Sequence, residues 1–193
     1  MHSESTEVLD IVDASVASSG NGMANISLSG SYDVKCFDNE GNLKWEDTIK
    51  NLVVTVGQND ILDKYFSGSA YTAGWYMGLV SGNYSPTYSA ADTLASHGNG
   101  TSTGWAELAG GGTAYSGTRP SVSWGSASAG SKVSTATSFS ITASNTVAGA
   151  FLANVNSGTS GILYSAGSFT GGNRTVAASD TLNVTYTAST TAS

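Results

Sequence analysis

The sequence has little of three things that often decide what a small protein does: cysteine, charge and long apolar runs. Of its 193 residues one is cysteine, and 7 Lys and Arg stand against 14 Asp and Glu. Cys36 cannot form a disulfide within the chain, so stability must come from packing or from subunit contacts. The net charge of -7 excludes an electrostatic nucleic-acid binder, because few cations are present to displace phosphate counterions.

No apolar run approaches the roughly 20 residues that are needed to cross a bilayer. The segment from Met1 to Asp13 is acidic, whereas a signal peptide begins with basic residues and continues with apolar ones. We therefore expect a protein that is made in the cytoplasm of the cell that produces it and that has no membrane partner.

Serine, threonine and glycine are abundant and make up 78 of the 193 residues. Together with β-branched and aromatic residues and frequent turn signals, this composition is typical of an all-β chain with many short strands. Because no long helices separate the strands, the sequence predicts an antiparallel β-sandwich, jelly-roll-like, over residues 26–193. Residues 1–25 contain no period long enough for a core element and are interpreted as an N-terminal arm and linker.

The clearest local patterns predict one hairpin and two short helices. Alternating apolar residues place strands at Ile26–Phe37 and Leu43–Lys50, with a bulge at Gly30. A helix is predicted near Val56–Phe66, because Thr55 and Gln58 have capping-box spacing. Its apolar stripe consists of Ile61, Leu62, Tyr65 and Phe66.

The second helix begins with a Ser-x-x-Asp pattern at Ser89 and ends near His97. Further strands are predicted at residues 75–80, 121–124, 133–141, 147–155, 162–169 and 181–188. Alternate residues from Val133 to Ile141 fall on one predicted face, as do Leu182, Val184 and Tyr186.

No catalytic or metal-binding motif has the context that its chemistry requires. The stretch Gly100–Gly104 matches Gly-x-Ser-x-Gly, but both histidines precede Ser102, whereas the hydrolase order places histidine last. Asp92, His97 and Glu107 could form a metal or acid–base cluster; alternatively, Asp92 starts the short helix and His97 ends it.

Two glycine-containing segments and the cysteine are also interpreted as structural. Residues 38–41 resemble a calcium loop, but the glycine comes too early and no Glu follows at the twelfth position, which favours a turn. The glycines at 110–112 lack the Lys-Ser/Thr that follows a phosphate loop. Cys36 is interpreted as a small buried apolar residue. We predict no catalytic residue, no cofactor and no metal.

Six segments follow one another along the chain in a distinctive order: Trp45–Asn59, Trp75–Val80, Asp92–His97, Gly104–Glu107, Arg119–Pro120 and Asp180–Thr187. Over roughly residues 43–188 they resemble a group of tailed-bacteriophage virion proteins. The resemblance implies a virion component of the head decoration, or cement, type on the capsid surface. Its implied partners are the major capsid protein and further copies of itself, with a trimer favoured over a dimer because such proteins often occupy threefold positions.

The alternative class is a carbohydrate- or receptor-binding module of a tail or head fibre. Trp75, Tyr76, Tyr84 and Tyr88 could form an exposed aromatic surface that stacks on sugars, in a tyrosine-rich loop of the kind that adapts to ligands. These rings could instead be core and interface anchors.

The arm is the second candidate binding element, because it interleaves acidic and apolar residues ahead of a Gly/Ser/Asn hinge. We expect its apolar residues to dock on an adjacent capsid or decoration subunit, and the alternative is that they pack on their own domain. The apolar residues are Val8, Leu9, Ile11, Val12 and Val16.

Overall fold

The predicted hairpin opens the fold. In the computed structural model, which describes residues 26–68, 74–83, 85–97, 104–108 and 113–192, β1 spans Ile26–Phe37 and β2 spans Leu43–Lys50. At the turn the Asp38 carboxylate accepts the backbone N–H groups of Glu40 and Asn42 at 2.9 and 2.8 Å. Gly41 has φ +86°, which glycine adopts without strain. The segment is therefore a hairpin turn, as predicted.

The described part of the chain contains ten strands and two helices, and most of the strands are short. No helix in this part is long and apolar enough to span a membrane. The hairpin is followed by β3 (Leu52–Val53), α1 (Thr55–Phe66), β4 (Tyr76–Ser81), α2 (Leu94–His97), β5 (Ser131–Val133), β6 (Thr137–Ser140), β7 (Asn145–Ala153), β8 (Leu163–Ser168), β9 (Arg174–Val176) and β10 (Thr181–Ala192).

The strands form two antiparallel sheets. The first has the order β2-β1-β10-β5, and β6 also pairs with β10. The second has the order β3-β8-β7-β4, and β9 pairs with β7. The all-β sandwich is thereby confirmed, whereas the jelly-roll connectivity stays a prediction.

The main core lies between the two sheets. Successive side chains of a strand point to opposite faces, so alternate residues of β1 and β10 enter this core. Tyr32 and Tyr186 are fully buried with ring centroids 4.5 Å apart. The Tyr32 hydroxyl lies 2.7 Å from Ser165 Oγ on the second sheet, so a hydrogen bond joins the two sheets across the core.

A second apolar cluster covers the outer face of the second sheet. Strand β7 is buried on both faces from Val147 to Ala153. On the outer face Phe151 packs with Trp105, and Leu94 of α2 belongs to the same cluster. The non-strand segments around α2 and Trp105 therefore form a third layer. Because this layer covers the outer face of β7, both faces of the strand are buried and its sequence is almost continuously apolar.

Local predictions were right about the elements and wrong about several details. Gly30 makes no bulge, because the register continues through its pairing with Ala188; the glycine leaves room for the Tyr186 hydroxyl and Asn51. The predicted strand over 133–141 is split into β5 and β6, and Val133 is exposed rather than buried. Residues 121–124 make only single bridges, at Ser121 and Trp124.

The capping box predicted for α1 does not form. Val54 occupies the N-cap without a side-chain cap, and Gln58 Nε2 donates instead to the Val53 carbonyl at 3.0 Å. The apolar stripe of α1 also differs from a core-facing stripe, since Leu62, Tyr65 and Phe66 are exposed and Gly57 is the buried residue of the helix.

Asp180 ties the hairpin to β10 through one carboxylate oxygen. Its Oδ2 accepts from Lys44 Nζ at 2.6 Å, the Ala177 N–H at 2.7 Å and the Cys36 thiol at 3.6 Å. Although burial alone would raise its pKa, the hydrogen bonds from Ala177 and Lys44 hold the pKa of Asp180 below its usual range. Burial and the neighbouring carboxylate raise the pKa of Cys36 to about 12. The buried, protonated thiol fits the structural interpretation of Cys36.

We expect Asp180→Asn to lower the free energy of unfolding at pH 7 by about 1–3 kcal/mol, because a charged hydrogen-bond acceptor is lost. Since the folded pKa lies below the unfolded value, the stability that Asp180 adds is present above about pH 3.9 and disappears as pH falls through the folded pKa. Urea titrations between pH 2 and pH 7 should show the wild-type and variant curves converging in acid. Asp33→Asn, at an exposed position of β1, is the control; equal losses in both variants would contradict the assignment.

Candidate binding groove

A groove of about 390 Å³ opens between α1 and the ends of both sheets. Helix α1 lines one side with Ile61, Lys64 and Tyr65. The first sheet contributes Ala188 of β10 and its neighbour Lys132 of β5. The groove exists because α1 lies against β8 without covering the adjoining end of the first sheet.

Three aromatic side chains form the opposite wall and are held by edge-to-face contacts. Trp75 meets Tyr164 with ring centroids 5.5 Å apart, and Tyr164 meets Tyr186 at 6.3 Å. Trp124 meets Tyr186 at 6.0 Å with an interplanar angle of 82°. Burial raises the pKa of both Tyr164 and Tyr186, so their hydroxyls stay neutral. The wall is apolar and its rings are fixed before anything binds.

The polar groups of the groove are few. Lys64 pairs with Asp60 at 3.0 Å along α1. Lys132 is exposed, and its Nζ donates to the Gly125 carbonyl at 2.8 Å. Among the residues that the structure describes, no carboxylate is paired with Lys132. The groove can therefore bind an apolar or aromatic group and offers one cation to an acidic neighbour.

The aromatic residues predicted to form one exposed surface are not together. Trp75, Tyr76 and Tyr88 are each half-buried, and Tyr84 lies outside the described residues. Trp75 packs on the core between the sheets, whereas Tyr88 packs on the outer cluster with its hydroxyl 2.9 Å from Ser168 Oγ. Burial raises the pKa of Tyr88 to about 12. Of the three members of the set that the structure describes, only Trp75 lines the groove.

The residues that sequence reasoning missed are Trp124, Tyr164 and Lys132. They come from three separate segments that meet only where the two sheets pack together, so no local spacing could have indicated them. Tyr65 was noticed, but as part of a stripe expected to face the core.

The predicted cluster of Asp92, His97 and Glu107 is divided between two networks. His97 Nε2 lies 3.1 Å from Asp92 Oδ1, and its Nδ1 lies 3.0 Å from the Trp105 carbonyl. The Trp105 indole N–H donates to Asp92 Oδ2 at 3.0 Å. The Glu107 carboxylate instead forms an ion pair with the Arg119 guanidinium. In the described ranges no three His, Cys, Asp or Glu side chains are placed to hold a metal ion.

Further sequence candidates fall outside the described residues. These are Ser102 with most of its Gly-x-Ser-x-Gly neighbourhood and the arm residues Val8, Leu9, Ile11, Val12 and Val16. The glycines at 110–112 also fall outside.

No protein-family model matches the sequence, and a search of curated proteins finds no significant match. The chain belongs to the class of all-β sandwiches, and it has an aromatic groove at one end.

Proposed function

We propose that this protein is a non-enzymatic structural component of a bacteriophage virion, a head decoration protein that binds the major capsid protein and further copies of itself. It is made in the host cytoplasm and then resides on the capsid surface. Its partners do not include nucleic acid or a membrane. A homo-oligomer is part of the proposal, with a trimer favoured over a dimer.

The observation that carries the proposal is the exposed apolar face of α1 beside a preformed aromatic groove. Tyr65 is 81% exposed and Phe66 is 77% exposed. Contiguous exposed apolar surface of this kind marks sites that another protein covers. The resemblance of residues 43–188 to virion proteins indicates that the protein covering this surface would be another component of a virion.

The composition supports the same proposal. Serine and threonine side chains lose little conformational entropy when an interface forms, and a rigid sandwich presents them in fixed positions. A shell-bound protein needs such a scaffold and an interface, and it needs no catalytic group.

The test is the copy number of the protein in purified virions, measured by quantitative mass spectrometry. We expect hundreds of copies per particle, because a decoration protein repeats with the shell lattice. A dozen copies or fewer would assign the protein to a tail or fibre instead. Its absence from particles would contradict a virion role altogether.

A second candidate, a fibre module that binds carbohydrate, is favoured by one observation: Trp75, Trp124 and Tyr164 line a single groove. Aromatic faces in a fixed cleft suit the apolar faces of sugar rings. In that case, oligosaccharides should change the tryptophan fluorescence of the wild-type protein, and Trp124→Ala should abolish the response.

A further inference from the structure

We propose that the groove of each chain is filled by the exposed face of α1 from a second copy of the same chain. This inference rests on the homo-oligomer within the proposed function, although not on a place in the virion. Its test therefore uses the purified protein alone, so that failure here and failure of the virion assignment can be told apart.

The donor surface is one face of α1. Leu62, Tyr65 and Phe66 stand at i, i+3 and i+4, which places them side by side on a helix. They are 52%, 81% and 77% exposed, and the rings of Tyr65 and Phe66 contact each other edge to face at 5.0 Å. An apolar helix stripe normally faces a protein core, so this outward stripe is suited to an intermolecular contact.

The area available fits an interface between copies. A large aromatic side chain buries about 150–250 Å². Two such rings and a leucine, mostly exposed, offer roughly 300–500 Å² per chain. Each chain would bury this helix face once and its own groove once; because Tyr65 belongs to both surfaces, the total stays below the roughly 800 Å² per partner of a standard interface and is typical of a weaker, concentration-dependent contact.

The acceptor surface is complementary to that face in shape and rigidity. The groove is concave, and its volume of about 390 Å³ is in the range of sites that hold ring-containing ligands. The side chains of its wall, Trp75, Trp124 and Tyr164, are already packed. Inserting an aromatic side chain therefore costs the groove little conformational entropy.

Charge also favours α1 as the occupant. Asp63 is exposed on α1, three residues before Phe66 and therefore at the edge of the donor face, and it makes no ion pair with another described residue. Lys132 at the groove rim donates only to a carbonyl in the described part of the chain. A helix seated in the groove can place the Asp63 carboxylate against Lys132, which would fix the register of the contact.

The two surfaces are different and lie side by side, sharing Tyr65. Each chain therefore has one donor face and one groove, and a closed ring fills every groove without leaving an apolar face exposed. Such closure is compatible with the trimer in the proposed function.

The first experiment measures the mass of the full-length protein by light scattering and sedimentation at micromolar concentration. We expect an oligomer that dissociates at least tenfold more readily in Phe66→Ser and Tyr65→Ser. Leu43→Ser is the matched control, because Leu43 is 50% exposed on β2, away from the groove. A monomeric wild-type protein, or oligomers that Phe66→Ser leaves intact, would overturn the proposal.

The second experiment identifies the contact. Chains carrying Phe66→Cys are mixed with chains of a different tag length carrying Lys132→Cys, and the native Cys36 is buried. Disulfide-linked species of mixed tag length support the contact. If Lys132→Cys instead links within its own chain to Val12→Cys in the arm, the occupant is the arm and the proposal fails.

A charge exchange gives an independent readout. Lys132→Glu and Asp63→Lys should each weaken the oligomer, and the double variant should recover most of the wild-type affinity. If the double variant is weaker than both single variants, the two groups do not face each other.

Discussion

Replacing Arg119 with methionine should lower the free energy of unfolding by about 3–5 kcal/mol, which is the cost of breaking a buried ion pair. The Arg119 side chain is 2% exposed. Its Nε and Nη2 donate to the two oxygens of Glu107 at 2.7 and 2.6 Å. Methionine fills much of the volume but leaves the Glu107 carboxylate partly buried without its cation.

Further contacts of Arg119 explain why the loss should be large. The guanidinium donates to the carbonyls of Val155 and Gly158 at 3.1 and 2.9 Å and lies 5.2 Å from the centre of the Phe151 ring. It therefore connects the segment before Pro120 with the loop between β7 and β8. Without it, two carbonyls lose their donors and the outer cluster loses a packing partner.

Urea unfolding followed by tryptophan fluorescence measures this effect. Lys35→Met is the matched control, because the Lys35–Glu46 pair has both side chains more than half exposed and should cost less than about 1 kcal/mol. Adding Glu107→Leu to Arg119→Met should restore part of the loss, because the stranded carboxylate is removed. Equal costs for Arg119→Met and Lys35→Met would show that the buried pair is not needed for stability.

Replacing Trp105 with alanine should cost about 3–5 kcal/mol through the cavity alone. Trp105 is completely buried and stacks on His97, with ring centroids 4.7 Å apart and planes 10° from parallel. It also contacts Phe151 at 5.3 Å and Tyr88 at 6.0 Å. Losing the indole opens the centre of the outer cluster and removes a hydrogen bond to Asp92.

Trp105→Phe separates these two contributions. Phenylalanine keeps most of the apolar volume but not the N–H that Asp92 accepts at 3.0 Å, so it should cost about 1–3 kcal/mol. Ile26→Ala, at a position on β1 that is 74% exposed and outside the groove, is the control and should change stability by less than about 0.5 kcal/mol. If alanine and phenylalanine at position 105 cost the same, the hydrogen bond rather than the packing dominates.

Elements were predictable where a short pattern determines side-chain direction. Period-two alternation in Tyr32, Val34 and Cys36 predicts a half-buried strand because the pleat alternates faces. The hairpin around Asp38 and the helix ending at Phe66 followed from equally local signals. The split at Val133 was not predictable from the alternation, because β5 and β6 both pair with β10 and only the register shifts between them.

The candidate groove was largely beyond prediction from the sequence. Trp75 was proposed as a binding residue and does line the groove, yet its neighbours Trp124 and Tyr164 lie far away along the chain. Asp92 and His97 were interpreted chiefly as residues that start and end the short helix, and their contact with each other was not predicted, nor was the pairing of Glu107 with Arg119. Partners of this kind depend on which segments the sheets bring together.

By itself the sequence determined the all-β class, the hairpin, the position of α1 and the negative net charge. These follow from composition and local periodicity, which act over a few residues. Only the tertiary structure decided that Leu62, Tyr65 and Phe66 face outward beside an aromatic groove. The physical reason is that a hydrophobic period shows that one face of a helix is apolar, whereas what covers that face depends on surfaces contributed by distant parts of the chain.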